Sequence, residues 1–174
     1  TLMFNRKHYR DVAKAYQDGL AELVASGGDP SKVASVASFF VSRVDTLVDK
    51  LLAEKAHTAP AALHGKLDAL RGRAALANAK VVYQDYLAAF GTDAWKALAA
   101  KGARVQRPLW ASTGTKNPAY SDLLYVENLV GPDTVNTVPE KTLEALLDHG
   151  RDLGDTVFEG VDEARRTLDE LREL

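Results

Sequence analysis

The sequence predicts an α/β protein of consecutive βα units whose strands lie in one parallel sheet. Three observations lead there. Short apolar runs near Val33, Val105 and Val135 alternate with longer stretches whose apolar residues recur at helical spacing. Only about four such units fit into 174 residues, whereas a closed parallel barrel takes eight strands in typically about 250 residues. The chain also opens on Thr1-Leu-Met-Phe4, an apolar run with no polar lead-in, where chain ends are usually frayed surface segments. Together these predict the second half of a parallel (βα)8 barrel, one domain over residues 1–174, as a fragment of a longer chain. Four units alone leave two sheet edges to be covered.

Each element has its own warrant. Thr1–Phe4 reads as the tail of a buried strand. Tyr9, Val12, Tyr16, Leu20 and Leu23 mark a helix from Arg6 to about Ala25, closed by Gly27-Gly28, and Asp29-Pro30-Ser31 reads as a loop. Val33–Val41 is β-branched, aromatic and free of breakers, as a central strand is. Val44, Leu47, Val48, Leu51 and Leu52 give an amphipathic helix. The longest periodic stretch runs from Leu63 to Phe90, with Leu63, Leu67, Leu70, Ala74, Ala77 and Val81 on one face. A short helix from Asp93 to Ala100 ends at Gly102. Val105–Ser112 follows as a strand despite Pro108, which belongs at a strand end or bulge. Val135–Val138 is a third short strand, after which Thr137 and Glu140 resemble a capping box. Val157, Val161, Ala164, Leu168 and Leu171 define the last helix.

Composition narrows the function classes. The 22 Lys+Arg against 24 Asp+Glu give a net charge of −2, not the profile of a protein that binds nucleic acid or anionic membranes. No apolar run approaches the roughly 20 residues of a membrane span. The absence of cysteine removes disulfides, thiolate nucleophiles and cysteine metal sites, and fits a reducing, cytoplasmic setting. His8, His57, His64 and His149 show no ligand spacing such as H-E-x-x-H, so no metal is expected. Asp45 and Asp49, one helical turn apart, read as a solvated face with Lys50.

In a parallel barrel chemistry collects where strands end. Here Ser38 and Phe40 lie within the first full strand and Ser42-Arg43 at its exit. The next strand runs into Ser112-Thr-Gly-Thr-Lys-Asn117, and the last carries Asn136 and Thr137. Arg43 with the Ser112–Lys116 loop makes a phosphate clamp, since arginine offers a planar fork of donors, lysine a point charge and a glycine turn its amides. Plainer readings stand beside it. Arg43 alone suits a surface ion pair, the loop alone an ordinary turn, and Ser38 alone a backbone partner.

Three long segments carry a resemblance. Val36-Ala-Ser-Phe-Phe-Val-Ser-Arg-Val-Asp45 resembles the sixth strand and its exit in transaldolases. Arg107-Pro-Leu-Trp-Ala-Ser-Thr-Gly-Thr-Lys-Asn-Pro-Ala-Tyr-Ser-Asp122 looks like the seventh strand and its phosphate loop. Leu124-Tyr-Val-Glu-Asn-Leu-Val-Gly-Pro-Asp-Thr-Val-Asn-Thr-Val-Pro139 is similar to the eighth-strand region, and Thr1–Phe4 to the end of the fifth. The likeness is nearest to the longer bacterial form and spans nearly the whole chain.

The resemblance implies the C-terminal half of a class I TIM barrel. Its enzyme moves a dihydroxyacetone unit between sugar phosphates, from sedoheptulose 7-phosphate to glyceraldehyde 3-phosphate, giving erythrose 4-phosphate and fructose 6-phosphate. It needs no cofactor and works through a Schiff-base lysine on the fourth strand, with an Asp on the first strand and a Glu on the third moving protons. All three would lie upstream of Thr1. For this chain the resemblance implies Thr1 positioning a catalytic water, Ser38 binding substrate hydroxyls and Phe40 walling the site. Arg43 and Ser112 match phosphate-binding positions and Lys116 stands near one, while Asn136 is nominated by strand-end placement alone. The implied partners are sugar phosphates and the N-terminal half of the barrel, with a homodimer as the other cover for the open edges. The alternative is an inactive half-barrel that only binds sugar phosphates or serves as a structural fragment.

Overall fold

A computed structural model describes residues 2–174; Thr1, nominated above, lies outside the described residues. Those residues form helix α1 (Arg6–Ala25), strand β1 (Val36–Phe40), helices α2 (Ser42–Ala56), α3 (Ala61–Ala69), α4 (Ala74–Ala89) and α5 (Asp93–Ala99), and strand β2 (Arg107–Ala111). Helix α6 (Leu124–Asn128), strand β3 (Val135–Asn136), and helices α7 (Glu140–His149) and α8 (Val161–Arg172) complete the order. The fold is α/β with a parallel sheet in the order β1-β2-β3. Met3 extends the sheet beyond β1 through a parallel bridge to Phe39, its amide donating to the Ser38 carbonyl at 3.1 Å.

Alternation along the strands separates two faces. Met3, Ala37, Phe39, Val41, Pro108 and Trp110 are buried against the helices, where the Phe39 and Trp110 rings meet edge to face at 6.2 Å. Tyr9 and Ala13 from α1 and Ala75, Ala79, Val82, Tyr83 and Tyr86 from α4 complete this core. The opposite face carries Phe4, Val36, Ser38, Phe40 and Leu109. Val36 remains 46% exposed there, and the Phe4 and Phe40 rings lie 5.2 Å apart.

Several expected elements differ. The strand expected from Val33 starts at Val36, because Asp29 caps a single 3-10 turn over Pro30–Lys32. In α2 only Leu52 of the apolar set is buried, while Leu47 and Leu51 face outward. The periodic stretch Leu63–Phe90 is two helices, broken at a turn where Gly72 takes φ +67°. Pro108 stands inside β2 without loss. The Arg107 amide donates to Ser35 on the β1 side, so position 108 faces the β3 side, where pairing starts only at Leu109. No capping box forms at α7: Pro139 holds the N-cap position with no side-chain bond. Val157 belongs to a separate 3-10 turn ahead of α8, and α6 was not foreseen.

The solvated reading of Asp45 and Asp49 is also overturned. Asp45 is buried, accepting the Ala75 amide at 2.7 Å and the Tyr125 hydroxyl at 2.8 Å. Asp49 accepts the Gly72 amide at 2.9 Å and the Tyr120 hydroxyl at 2.7 Å. The N-cap residue of α4, Arg73, offers no side-chain bond, so α2 supplies carboxylate acceptors to the amides that open α4. Burial raises the Asp45 carboxyl above its ordinary range, although the Ala75 and Tyr125 donors pull it down.

Candidate functional site

Four of the nominated residues, Ser38, Phe40, Arg43 and Ser112, lie on β1 or at the C-terminal exits of β1 and β2. Ser38 and Phe40 lie on the open face, in register with Leu109 and Ala111 of β2. Beyond β1 the chain enters α2 at once, which puts Arg43 in the first helical turn. Its guanidinium carbon stands 4.7 Å from the Phe40 ring centroid, a cation–π contact that holds the head group beside the strand end.

The second strand delivers its loop beside the first. The Ser42 amide donates to the Ser112 carbonyl at 3.0 Å, and the two hydroxyls lie 2.9 Å apart. Ser112 has φ +58°, a left-handed conformation that costs a non-glycine residue energy and turns the chain sharply out of the sheet. Gly114 then passes so close to α7 that a Cβ would stand 3.2 Å from Pro139 Cγ. The loop continues past exposed Lys116 and is cross-linked by Thr115 Oγ1 donating to the Ser121 carbonyl at 2.8 Å. Lys116 and Asn117 border an open recess of about 460 Å³.

Arg43 thus touches Phe40, Ser112 is bonded to Ser42 next to Arg43 in sequence, and Ser38 shares the open sheet face with Phe40. Lys116 stands farther along the same loop. Among the described residues neither Arg43 nor Lys116 has a carboxylate within ion-pair distance. Such cations can receive an anion without first breaking an internal pair. Asn136 is placed differently. It pairs in register with Trp110, and its Oδ1 accepts the hydroxyl of fully buried Thr113 at 2.7 Å, so it braces the loop.

Sequence reasoning did not single out Ser42, Thr113, Asp49 or Tyr120 for the site. Helical spacing made Asp49 read as solvated, and nothing local marks its bonds to Gly72 and Tyr120. A separate recess of about 340 Å³ lies between α4 and α8, away from the strand ends. There the buried Lys80 ammonium donates to the Glu159 carbonyl at 2.8 Å, and burial lowers its pKa; its one bond pins the turn ahead of α8. Among the described residues no group of three or more His, Asp or Glu is placed to hold a metal. Among the described residues no helix is long and apolar enough to cross a membrane.

Comparison with known proteins agrees with the strand-end motifs. The family model described as transaldolase/fructose-6-phosphate aldolase matches residues 1–174. A transaldolase of Arthrobacter sp. is 51% identical over 174 residues, covering 100% of this chain and 45% of that protein. Transaldolase 1 of Streptomyces avermitilis is 54% identical over 168 residues, 97% of this chain and 43% of its own length. A transaldolase of Mycolicibacterium paratuberculosis is 54% identical over 172 residues, 98% of this chain and 44% of its own. The chain therefore spans a little under half the length of these relatives. With the family model matching residues 1–174 and relatives about half identical over the whole chain, the chain belongs to the transaldolase/fructose-6-phosphate aldolase family.

Proposed function

We propose that residues 1–174 are the C-terminal half of a TIM-barrel transaldolase, which binds sugar phosphates and transfers a dihydroxyacetone unit once the N-terminal half completes the barrel. The observation that carries this reading is the one-sided sheet. A parallel sheet is normally covered on both faces, yet among the described residues Phe4 and Val36 remain exposed, and Ser38, Phe40 and Leu109 only partly buried, on the face opposite the helical core. In a closed barrel that face becomes the packed interior. The length of the relatives supports it, since more than half of each lies outside the match.

Each residue then has a task. Arg43, Ser112 and Lys116 bind the phosphate, Arg43 by its planar fork and Lys116 as a point charge. Ser38 hydrogen-bonds the sugar hydroxyls, and Phe40 walls the site while orienting Arg43. Thr1 holds the catalytic water, and Asn136 acts through Thr113 on the loop. The Schiff-base lysine and the acid–base carboxylates come from the N-terminal half. Binding energy at the phosphate end then orients the carbonyl for attack by that lysine. We place this activity in the cytoplasm, as part of sugar-phosphate metabolism.

The test is complementation. The chain mixed with the separately produced N-terminal half is expected to convert fructose 6-phosphate and erythrose 4-phosphate to sedoheptulose 7-phosphate and glyceraldehyde 3-phosphate, with neither half active alone. Borohydride should trap the donor on the N-terminal half. Phosphate-dependent binding by a well-folded pair without transfer would instead support the binding-only half-barrel.

A further inference from the structure

The loop that carries Lys116 is tied at both ends to the helix that carries Arg43. At its start, Ser112 bonds Ser42 in the first residue of α2. At its far end, the Tyr120 hydroxyl donates to Asp49 Oδ2 at 2.7 Å. Asp49 follows Arg43 by six residues on α2, about 9 Å along the helix axis at about 1.5 Å per residue. We propose that Asp49 and Tyr120 are positioning residues that fix the Lys116 loop against α2, and so hold Lys116 where it can share one phosphate group with Arg43. This rests on the phosphate reading above.

Three observations make the Asp49–Tyr120 bond a strut. Both Asp49 oxygens are engaged, Oδ1 by the Gly72 amide at 2.9 Å and Oδ2 by Tyr120, so the carboxylate cannot swing. The Tyr120 ring rests on Gly72, where an added Cβ would stand 2.8 Å from the phenol Cζ, and Gly72 itself is held at φ +67°. Between Lys116 and Tyr120 the loop is internally fastened: the Tyr120 amide bonds the Asn117 carbonyl at 3.1 Å, and the Ala119 amide bonds Asn117 Oδ1 at 2.9 Å. Lys116 is exposed, with Asn117, Pro118 and Ala119 beside it, in a loop anchored to α2 at both ends. A charge on a pre-ordered loop loses less freedom on binding than one on a free loop.

The test is Tyr120→Phe in the complete barrel, which keeps the ring on Gly72 and deletes only the hydroxyl. KM for fructose 6-phosphate is expected to rise about 3–10-fold, with kcat changed less than about twofold and KM for unphosphorylated fructose unchanged. In a Lys116→Ala background Tyr120→Phe is expected to add nothing, because it acts through Lys116. An unchanged KM for fructose 6-phosphate, or an equal rise for both ketoses, overturns the strut. Lys116→Ala separates the two ideas. If it leaves KM unchanged, the phosphate role of Lys116 and the strut fall together; if it raises KM while Tyr120→Phe does not, only the strut falls. Should Tyr120→Phe fail to fold, Asp49→Asn tests the same bond. It exchanges a charge-assisted bond for a neutral one, so a smaller rise in the same ratio is expected, and an unchanged ratio overturns the proposal equally.

Discussion

The Arg43 guanidinium carbon lies 4.7 Å from the centroid of the Phe40 ring. One residue on the open sheet face thereby holds a cation from the following helix in place. Arg43→Ala is expected to raise KM for phosphorylated donors about tenfold or more, the loss of a hydrogen bond to a charged group. KM for unphosphorylated fructose should move far less, and the affinity lost in Arg43→Ala should be the salt-sensitive part. Steady-state kinetics with the two donors at two ionic strengths measures this, and equal effects on both would remove Arg43 from the clamp.

Asp45 governs stability rather than binding. Asp45→Ala leaves the Ala75 amide and the Tyr125 hydroxyl without their acceptor, at an expected cost of about 2–4 kcal/mol. Asp45→Asn isolates the charge. Because burial raises the folded carboxyl, the native group's contribution is full below the unfolded value near pH 4 and is lost as pH rises through the folded one. Urea denaturation should therefore show the native-to-Asn difference shifting in favour of Asn between pH 4 and 7.

The opposite sign applies to Asp85, which joins α4 to α1. It accepts Arg6 Nε at 2.8 Å and Arg10 Nη2 at 2.7 Å, with only 10% of its side chain exposed. Burial pushes this carboxyl up, but the two arginines outweigh it and leave it below the ordinary range. Its stabilisation is thus present above pH 4 and lost as pH falls through the folded value. Asp85→Ala is expected to cost on the order of 2 kcal/mol at pH 7 and progressively less below pH 4. A constant difference from pH 7 to pH 3 would count against the pairing.

Gly72→Ala should destabilise by about 2–4 kcal/mol, combining a left-handed φ with a Cβ pressed on the Tyr120 ring. Gly65, in α3 with open space around it, is the control: Gly65→Ala should be neutral or mildly stabilising. Denaturation midpoints of the two variants decide this, and similar values would mean that the turn relaxes freely.

The sequence by itself determined the βα succession, the helix Arg6–Ala25, the short helix at Asp93, and the strand cores around Phe39 and Trp110. These follow from local periodicity and β-branched runs, which act within a few residues. It also placed Arg43 and Ser112 at strand ends, because in a parallel sheet the exit of each strand is readable from where its apolar run stops. Tertiary structure alone decided the rest. Leu63–Phe90 keeps one periodic face across its break, so the turn at Gly72 appears only once Asp45 and Asp49 reach over from α2 to the amides that open α4. The same two carboxylates looked solvated, since helical spacing does not say what packs against a face. Asn136 sits at a strand end like Ser38, yet its register with Trp110 turns it from the open face to Thr113. Partners 23 to 80 residues apart make these choices, and no local pattern encodes a hydrogen bond over such a separation.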